Sequence, residues 1–131
     1  MKIFYYQRPD GFSNFGDQLN PWLWNKLLPE VFDDNENEIF LGFGTLLNDL
    51  LPQRISQAKK VAVFSTGVGY ENNLVRVPEY WKIYCVRGFL SAKTLGLSNE
   101  MAVTDGAILV RRLFQPTGKK VTKLFILGLF Q

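Results

Sequence analysis

The chain has no histidine and a single cysteine among its 131 residues. A zinc site of the usual nitrogen and thiolate ligands therefore cannot be assembled within it, and a serine triad that relies on imidazole is excluded. Cys85 has no partner for an internal disulfide and no histidine to activate it; it reads as a small buried residue of a reducing compartment. The sequence also lacks an apolar run near the ~20 residues that a bilayer-spanning helix needs. It opens directly into a strand-like segment, without a charged leader and cleavage site, so a cytoplasmic protein is expected. Charge of one sign is scarce: the formal net charge is +3, and apart from Arg111-Arg112 and Lys119-Lys120 the basic residues are scattered. No nucleic-acid stripe emerges from that distribution. Repeats and low-complexity tracts are missing as well.

What is present is enough for one core. Hydrophobic residues make up 47% of the chain, and the length suits a single domain spanning residues 1–131. Strands are predicted at Lys2–Gln7, Glu38–Leu41, Val61–Phe64, Trp81–Val86 and, briefly, Met101–Val103. Helices are predicted at Asp17–Leu28, with Pro21 in its first turn, at Leu46–Leu51 before Pro52, and at Phe89–Leu95 before Gly96. Ala107–Leu113 reads as a further helical turn or a loop. Alternation of strands with helical segments predicts an α/β fold: a Rossmann-like, doubly wound parallel sheet with flanking helices. Leu124–Phe130 reads as a further apolar strand with no helix after it.

Short polar or glycine-rich motifs follow each strand: Asn14-Phe15-Gly16-Asp17, Gly42-Phe43-Gly44-Thr45, Ser65-Thr66-Gly67-Val68-Gly69, Val86-Arg87-Gly88 and Thr104-Asp105-Gly106-Ala107. Open α/β sheets bind ligands at the carboxyl ends of their strands, so this repetition points to a binding enzyme. Each motif has a functional and a plain structural reading. Asp17 either caps the following helix or acts as a base on a sugar hydroxyl, and Asn14 either shapes a turn or holds a sugar diol. Arg87 offers a fork of donors to phosphate or carboxylate, or pairs with Asp105. Asp105 is favoured as the cap of the segment beginning at Gly106. Trp22, Trp24 and Trp81 read as core, an exposed one being able to stack on a sugar ring. The pair Gly42-x-Gly44 resembles the front of a dinucleotide fingerprint, but Leu47 stands where the third glycine belongs.

In order along the chain, these motifs resemble the polysaccharide pyruvyl transferase family, in its exopolysaccharide ketal pyruvyl transferase branch. The resemblance runs from Asn14-Phe15-Gly16-Asp17-Gln18-Leu19-Asn20, through Gly42–Thr45, Ser65–Tyr70 and Val86–Leu97, to Val103–Leu109. It implies a glycosyltransferase-B-like architecture of two Rossmann-type domains, of which this chain is the N-terminal, acceptor-side half and the C-terminal donor domain is missing. A truncation or frameshift shortly after Lys120 is the expectation that goes with it. The implied reaction transfers the pyruvyl group of phosphoenolpyruvate, the donor substrate, to a sugar of a growing polysaccharide as a cyclic ketal, with no cofactor and no metal. By this resemblance Asp17 is the catalytic candidate. Asn14, Gly16, Gly44, Thr45, Thr66, Gly67, Arg87 and Asp105 are the substrate-binding candidates. The implied partners are phosphoenolpyruvate and a saccharide acceptor, free or lipid-linked, the latter placing the protein at the inner face of the membrane. Three alternatives stand beside this reading: a nicotinamide-dependent oxidoreductase, a nucleotide-sugar-dependent glycosyltransferase, and a non-catalytic sugar-binding half-domain. The chain alone is expected to be inactive.

Overall fold

In the computed structural model, residues 1–114 are described apart from Ser13, Tyr70, Glu71, Asn73 and Val75. The apolar segment Leu124–Phe130, read above as a strand, lies outside the described residues. The chain runs β1 (Lys2–Phe4), α1 (Phe15–Leu27), β2 (Glu38–Leu41), α2 (Leu51–Arg54), β3 (Lys60–Phe64), β4 (Trp81–Cys85) and α3 (Phe89–Thr94). Two 3-10 segments follow, Asn99–Met101 and Gly106–Arg112. The strands form a four-stranded parallel sheet in the order β1-β2-β3-β4, with Ile3 beside Phe40 and Phe40 beside Ala62. The α/β, Rossmann-like class expected from the sequence is the one observed.

Strand alternation gives the sheet two apolar faces. Phe40, Ala62 and the partly buried Ile3 and Phe64 face α1 through Leu23 and Trp24, and they also meet Ala107, Leu109 and Val110 of the second 3-10 segment. Ile39, Leu41, Val61 and Val63 face the other way, against Leu51 and Ile55 around α2 and Ala92 of α3. β1, β2 and β3 step in one direction across the sheet, yet their connections pass on opposite faces. The two crossovers are therefore of opposite hand, and one of them departs from the right-handed rule. The chain leaves β1 towards one face and β2 towards the other, which opens a crevice at the carboxyl ends of these strands.

Several local expectations are corrected. α1 begins at Phe15, capped by Asn14, so Pro21 lies in the helix interior rather than in its first turn. The interior proline is tolerated because the Asp17 carbonyl, which Pro21 cannot bond, accepts instead from Asn20 Nδ2 at 3.4 Å. Residues 46–50, expected to be helical, carry a parallel bridge from Leu47 to Val68 and a turn in which Asn48 Oδ1 accepts from Leu50 and Leu51 N–H. Pro52, expected to end a helix, instead sits in the first turn of α2, where its missing N–H costs nothing. The Met101–Val103 segment forms one bridge, Val86 to Ala102, rather than a strand. Tyr5, Tyr6 and Gln7 extend beyond β1, which ends at Phe4.

Candidate functional site

The loops after β2, β3 and β4 are hydrogen-bonded to one another in a continuation of the sheet. Gly67 N–H donates to Gly44 O at 3.0 Å, Leu47 N–H to Gly67 O at 3.0 Å, and Arg87 N–H to Thr66 O at 3.1 Å. The β3–β4 register slips between Val63 and Phe64, so that Phe64 faces Cys85, and the next residue, Ser65, takes a left-handed φ of 68°. Bulges of this kind re-aim the residues that follow them. Burial pushes the Cys85 thiol up from its ordinary range, away from the thiolate that a nucleophile needs.

Above this layer lies a crevice of about 800 Å³, lined from the β1 side by Tyr6 and Arg8–Asp10, from the start of α1 by Asn14–Asp17 and Leu19, and from the β2 loop by Phe43–Leu46 and Asn48. Arg54, Arg87, Asp105 and Ala107 complete it. Seven of the nine sequence-predicted site residues line this space, namely Asn14, Gly16, Asp17, Gly44, Thr45, Arg87 and Asp105. Thr66 and Gly67 do not. Thr66 is fully buried, its hydroxyl donating to Gly44 O and accepting from Leu46 N–H, each at 3.2 Å. Gly67 lies beneath Arg87: a Cβ there would stand 2.9 Å from Arg87 Nε. Both position the crevice from below.

The lining groups divide by role. Asn14 Oδ1 accepts from Gly16 N–H at 2.8 Å, which caps α1 and leaves its amide nitrogen without a partner among the described residues. Asp17 is thereby relieved of capping. It occupies the first turn, half-buried, and burial raises its carboxyl above the ordinary carboxylate value. No hydrogen bond to that carboxylate forms among the described residues, so its oxygens are available to a ligand. Arg87 reaches across to Thr45, its Nη1 donating to Oγ1 at 2.9 Å, and makes no ion pair with Asp105. Asp105 is occupied as the cap of Gly106–Arg112, Oδ1 accepting from Ala107 N–H at 2.9 Å. Gly44, with φ of 117°, gives the β2 loop a backbone turn that side chains resist. The glycines Gly42 and Gly44 do not open onto a helix, since α2 starts only at Leu51; the turn-to-helix geometry of a dinucleotide loop is not formed. Of the tryptophans, Trp24 and Trp81 are buried, and Trp22 stacks on Phe114 at 5.6 Å between ring centres.

Sequence reasoning missed the residue that ties these parts together. Asn20, fully buried on α1, donates from Nδ2 to Phe43 O at 3.2 Å, while its Oδ1 accepts from Phe43 N–H and Trp24 Nε1 at 3.1 Å each. It thereby holds the Asp17 end of α1 against the β2 loop. The available signal was a polar residue on the otherwise apolar face Leu19, Leu23, Trp24, Leu27. Gly42 completes the clamp, because a Cβ there would lie 2.2 Å from Trp24 Nε1.

Fold and site together define a Rossmann-like α/β domain with a polar crevice at the carboxyl edge of its sheet, lined by the half-buried Asp17 carboxylate, unpartnered among the described residues, and by arginines that include Arg87. In sequence the chain is 35% identical over 129 residues to the succinoglycan biosynthesis protein ExoV of Rhizobium meliloti (strain 1021), a match that takes in 96% of this chain. The chain spans about two fifths of that relative, 39% of its length. The match bears out the resemblance to exopolysaccharide-biosynthesis enzymes read from the motifs, all of which lie inside the aligned length. No family model matches the chain, and no solved structure matches it. Among the described residues no helix is long and apolar enough to cross a membrane.

Proposed function

We propose that this chain is the acceptor-side part of a ketal pyruvyl transferase, moving the pyruvyl group of phosphoenolpyruvate onto a sugar of an exopolysaccharide. Its relative is a succinoglycan biosynthesis protein, which supports a saccharide acceptor. The observation that carries the reading is the pairing, in one crevice, of an unpartnered, half-buried carboxylate at Asp17 with a free amide nitrogen at Asn14.

Ketal formation needs two hydroxyls of one sugar to lose protons as they add to C2 of the enol. C3 gains a proton, two C–O bonds form at C2, and the bond from C2 to the phosphate oxygen breaks as phosphate leaves. Asp17 takes the proton of the attacking hydroxyl, and its raised pKa makes it a stronger base than an exposed aspartate. Asn14 orients the diol with its amide N–H groups. Arg87, held by Thr45 over Gly67, faces the carboxylate or phosphate with its remaining N–H groups. The acid that protonates C3 and the rest of the donor site belong, in this proposal, to a second half, and the work is done at the cytoplasmic face of the membrane when the acceptor is lipid-linked.

A chimera in which this chain replaces the matched segment of ExoV tests the reading. Phosphate release from phosphoenolpyruvate that depends on added saccharide acceptor is the expected result. Turnover of a nucleotide sugar or a nicotinamide cofactor instead would overturn it.

A further inference from the structure

A second hollow, of about 270 Å³, opens beside the crevice and shares Tyr6, Arg8 and Asn14 with it as a dividing wall. Its own lining is Gln7, Gly11, Phe12 and Gln18. The loop that forms the wall is shaped locally. Arg8 pairs with Asp10, Gly11 takes a φ of 78° while its N–H donates to Arg8 O at 3.2 Å, and Phe12 N–H donates to Asp10 Oδ1 at 3.1 Å. The pairing satisfies Arg8, the cation that lines the hollow among the described residues, so the space is close to neutral. Beside the Tyr6 phenol of the wall, the polar side chains that remain are amides. The Gln7 and Gln18 side chains and the Asn14 amide nitrogen have no hydrogen-bond partner among the described residues. An amide both donates and accepts, which matches a hydroxyl and offers little to an anion. The Phe12 ring is 74% exposed at the edge, and no other described ring stacks on it. A flat apolar face beside amides suits a pyranose ring, whose C–H face is apolar and whose rim is polar. The volume lies at the small end for ligand pockets and admits a group about one ring in size.

We propose that this hollow is a second saccharide subsite, so that the acceptor is recognised as an oligosaccharide. The sugar to be modified would occupy the charged crevice and its neighbour the neutral hollow, with Asn14 contacting both. This rests on the reading of the crevice as an acceptor site. Chemistry and recognition are then divided between Asp17 and Arg87 on one side of the Arg8–Asp10 wall and Phe12 and Gln18 on the other.

The test uses the 131-residue chain and a size-fractionated hydrolysate of succinoglycan, titrated by amide NMR and calorimetry as mono-, di- and tetrasaccharide fractions. The disaccharide is expected to bind about tenfold more tightly than the monosaccharide. Phe12→Ala and Gln18→Ala, both at exposed positions, should abolish that gain without weakening the monosaccharide. Shifts at Asn14 and Asp17 with no dependence on chain length would overturn the second subsite and leave the acceptor reading standing. Absence of shifts in either space with every fraction would overturn both.

Discussion

Asn20 grips the backbone of Phe43 on both sides of its Cα, Nδ2 donating to the carbonyl at 3.2 Å and Oδ1 accepting from the N–H at 3.1 Å. A side-chain amide thus stands where a neighbouring strand would, and joins α1 to the loop after β2. The Trp24 indole N–H shares the same Oδ1, and the Asp17 carbonyl takes the second N–H, so every hydrogen-bonding group of the amide is engaged. Asn20→Ala leaves buried groups of Phe43 and Trp24 unpaired and should destabilise the fold by about 2–4 kcal/mol in urea denaturation. Asn20→Asp should recover little of this, because a carboxylate oxygen then faces the Phe43 carbonyl.

Gly67 and Arg87 allow function to be separated from stability. A methyl group at Gly67 meets Arg87 at Nε, Cζ and Nη2, between 2.9 and 3.0 Å, and these are the mobile end of an arginine. Gly67→Ala should therefore push the guanidinium off Thr45 while the fold loses less than about 1 kcal/mol. Binding of an anionic substrate to the full enzyme should weaken as much as in Arg87→Ala. By contrast, Gly42→Ala meets the buried Trp24 and Asn20 at 2.2 and 2.3 Å and should cost about 1–3 kcal/mol in stability.

Asp17 carries a pH signature. Burial raises its carboxyl above the ordinary 3.8, so the folded state holds that proton more tightly than the unfolded chain does. The contribution to stability is complete below the unfolded midpoint and is lost as pH rises through the folded one. NMR titration of the carboxyl should show a midpoint above 3.8. Asp17→Asn should remove this part of the pH dependence. At neutral pH the relief of burial is opposed by the loss of a favourable charge in the first turn of α1, so stability should stay within about 1 kcal/mol of the wild type.

Ser65 is strained and poorly served by its hydroxyl. Its φ of 68° lies in the left-handed region, and its buried Oγ finds no hydrogen-bond partner among the described residues. Ser65→Gly should stabilise the fold by about 1 kcal/mol in thermal or urea unfolding, since glycine adopts that φ freely and buries no hydroxyl. A loss of stability would show that the hydroxyl is engaged in solution.

Much of this arrangement was legible in the sequence because it depends on local pattern. Runs such as Lys60–Phe64 are apolar on both faces, as a strand covered on both sides must be, and the motifs after them mark the carboxyl edge. The strand order was not legible, since which strands become neighbours depends on contacts distant along the chain. Asp17 reads as a cap only for a helix that begins at Asp17; α1 begins at Phe15, so Asn14 does that work, accepting from Gly16 N–H, and the aspartate has no hydrogen bond among the described residues. Thr66 and Gly67 carry polar and flexible character that reads as site chemistry, yet their groups are used up in joining neighbouring loops. Arg87 and Asp105 are opposite in charge and each follows a strand-like run, but Asp105 is already engaged by the N–H of Ala107. The role of Asn20 was hidden because its partner, Phe43, is 23 residues away.

The most direct test is product analysis in the chimera of this chain with the remainder of ExoV, using carbon-labelled phosphoenolpyruvate and a saccharide acceptor. Wild-type chimera should place a labelled quaternary ketal carbon on the sugar. Asp17→Asn should still bind the saccharide but form the ketal at least about 100-fold more slowly, as expected on loss of a general base. Ketal formation by Asp17→Asn at the wild-type rate would contradict the assignment of the crevice carboxylate as the base of the reaction.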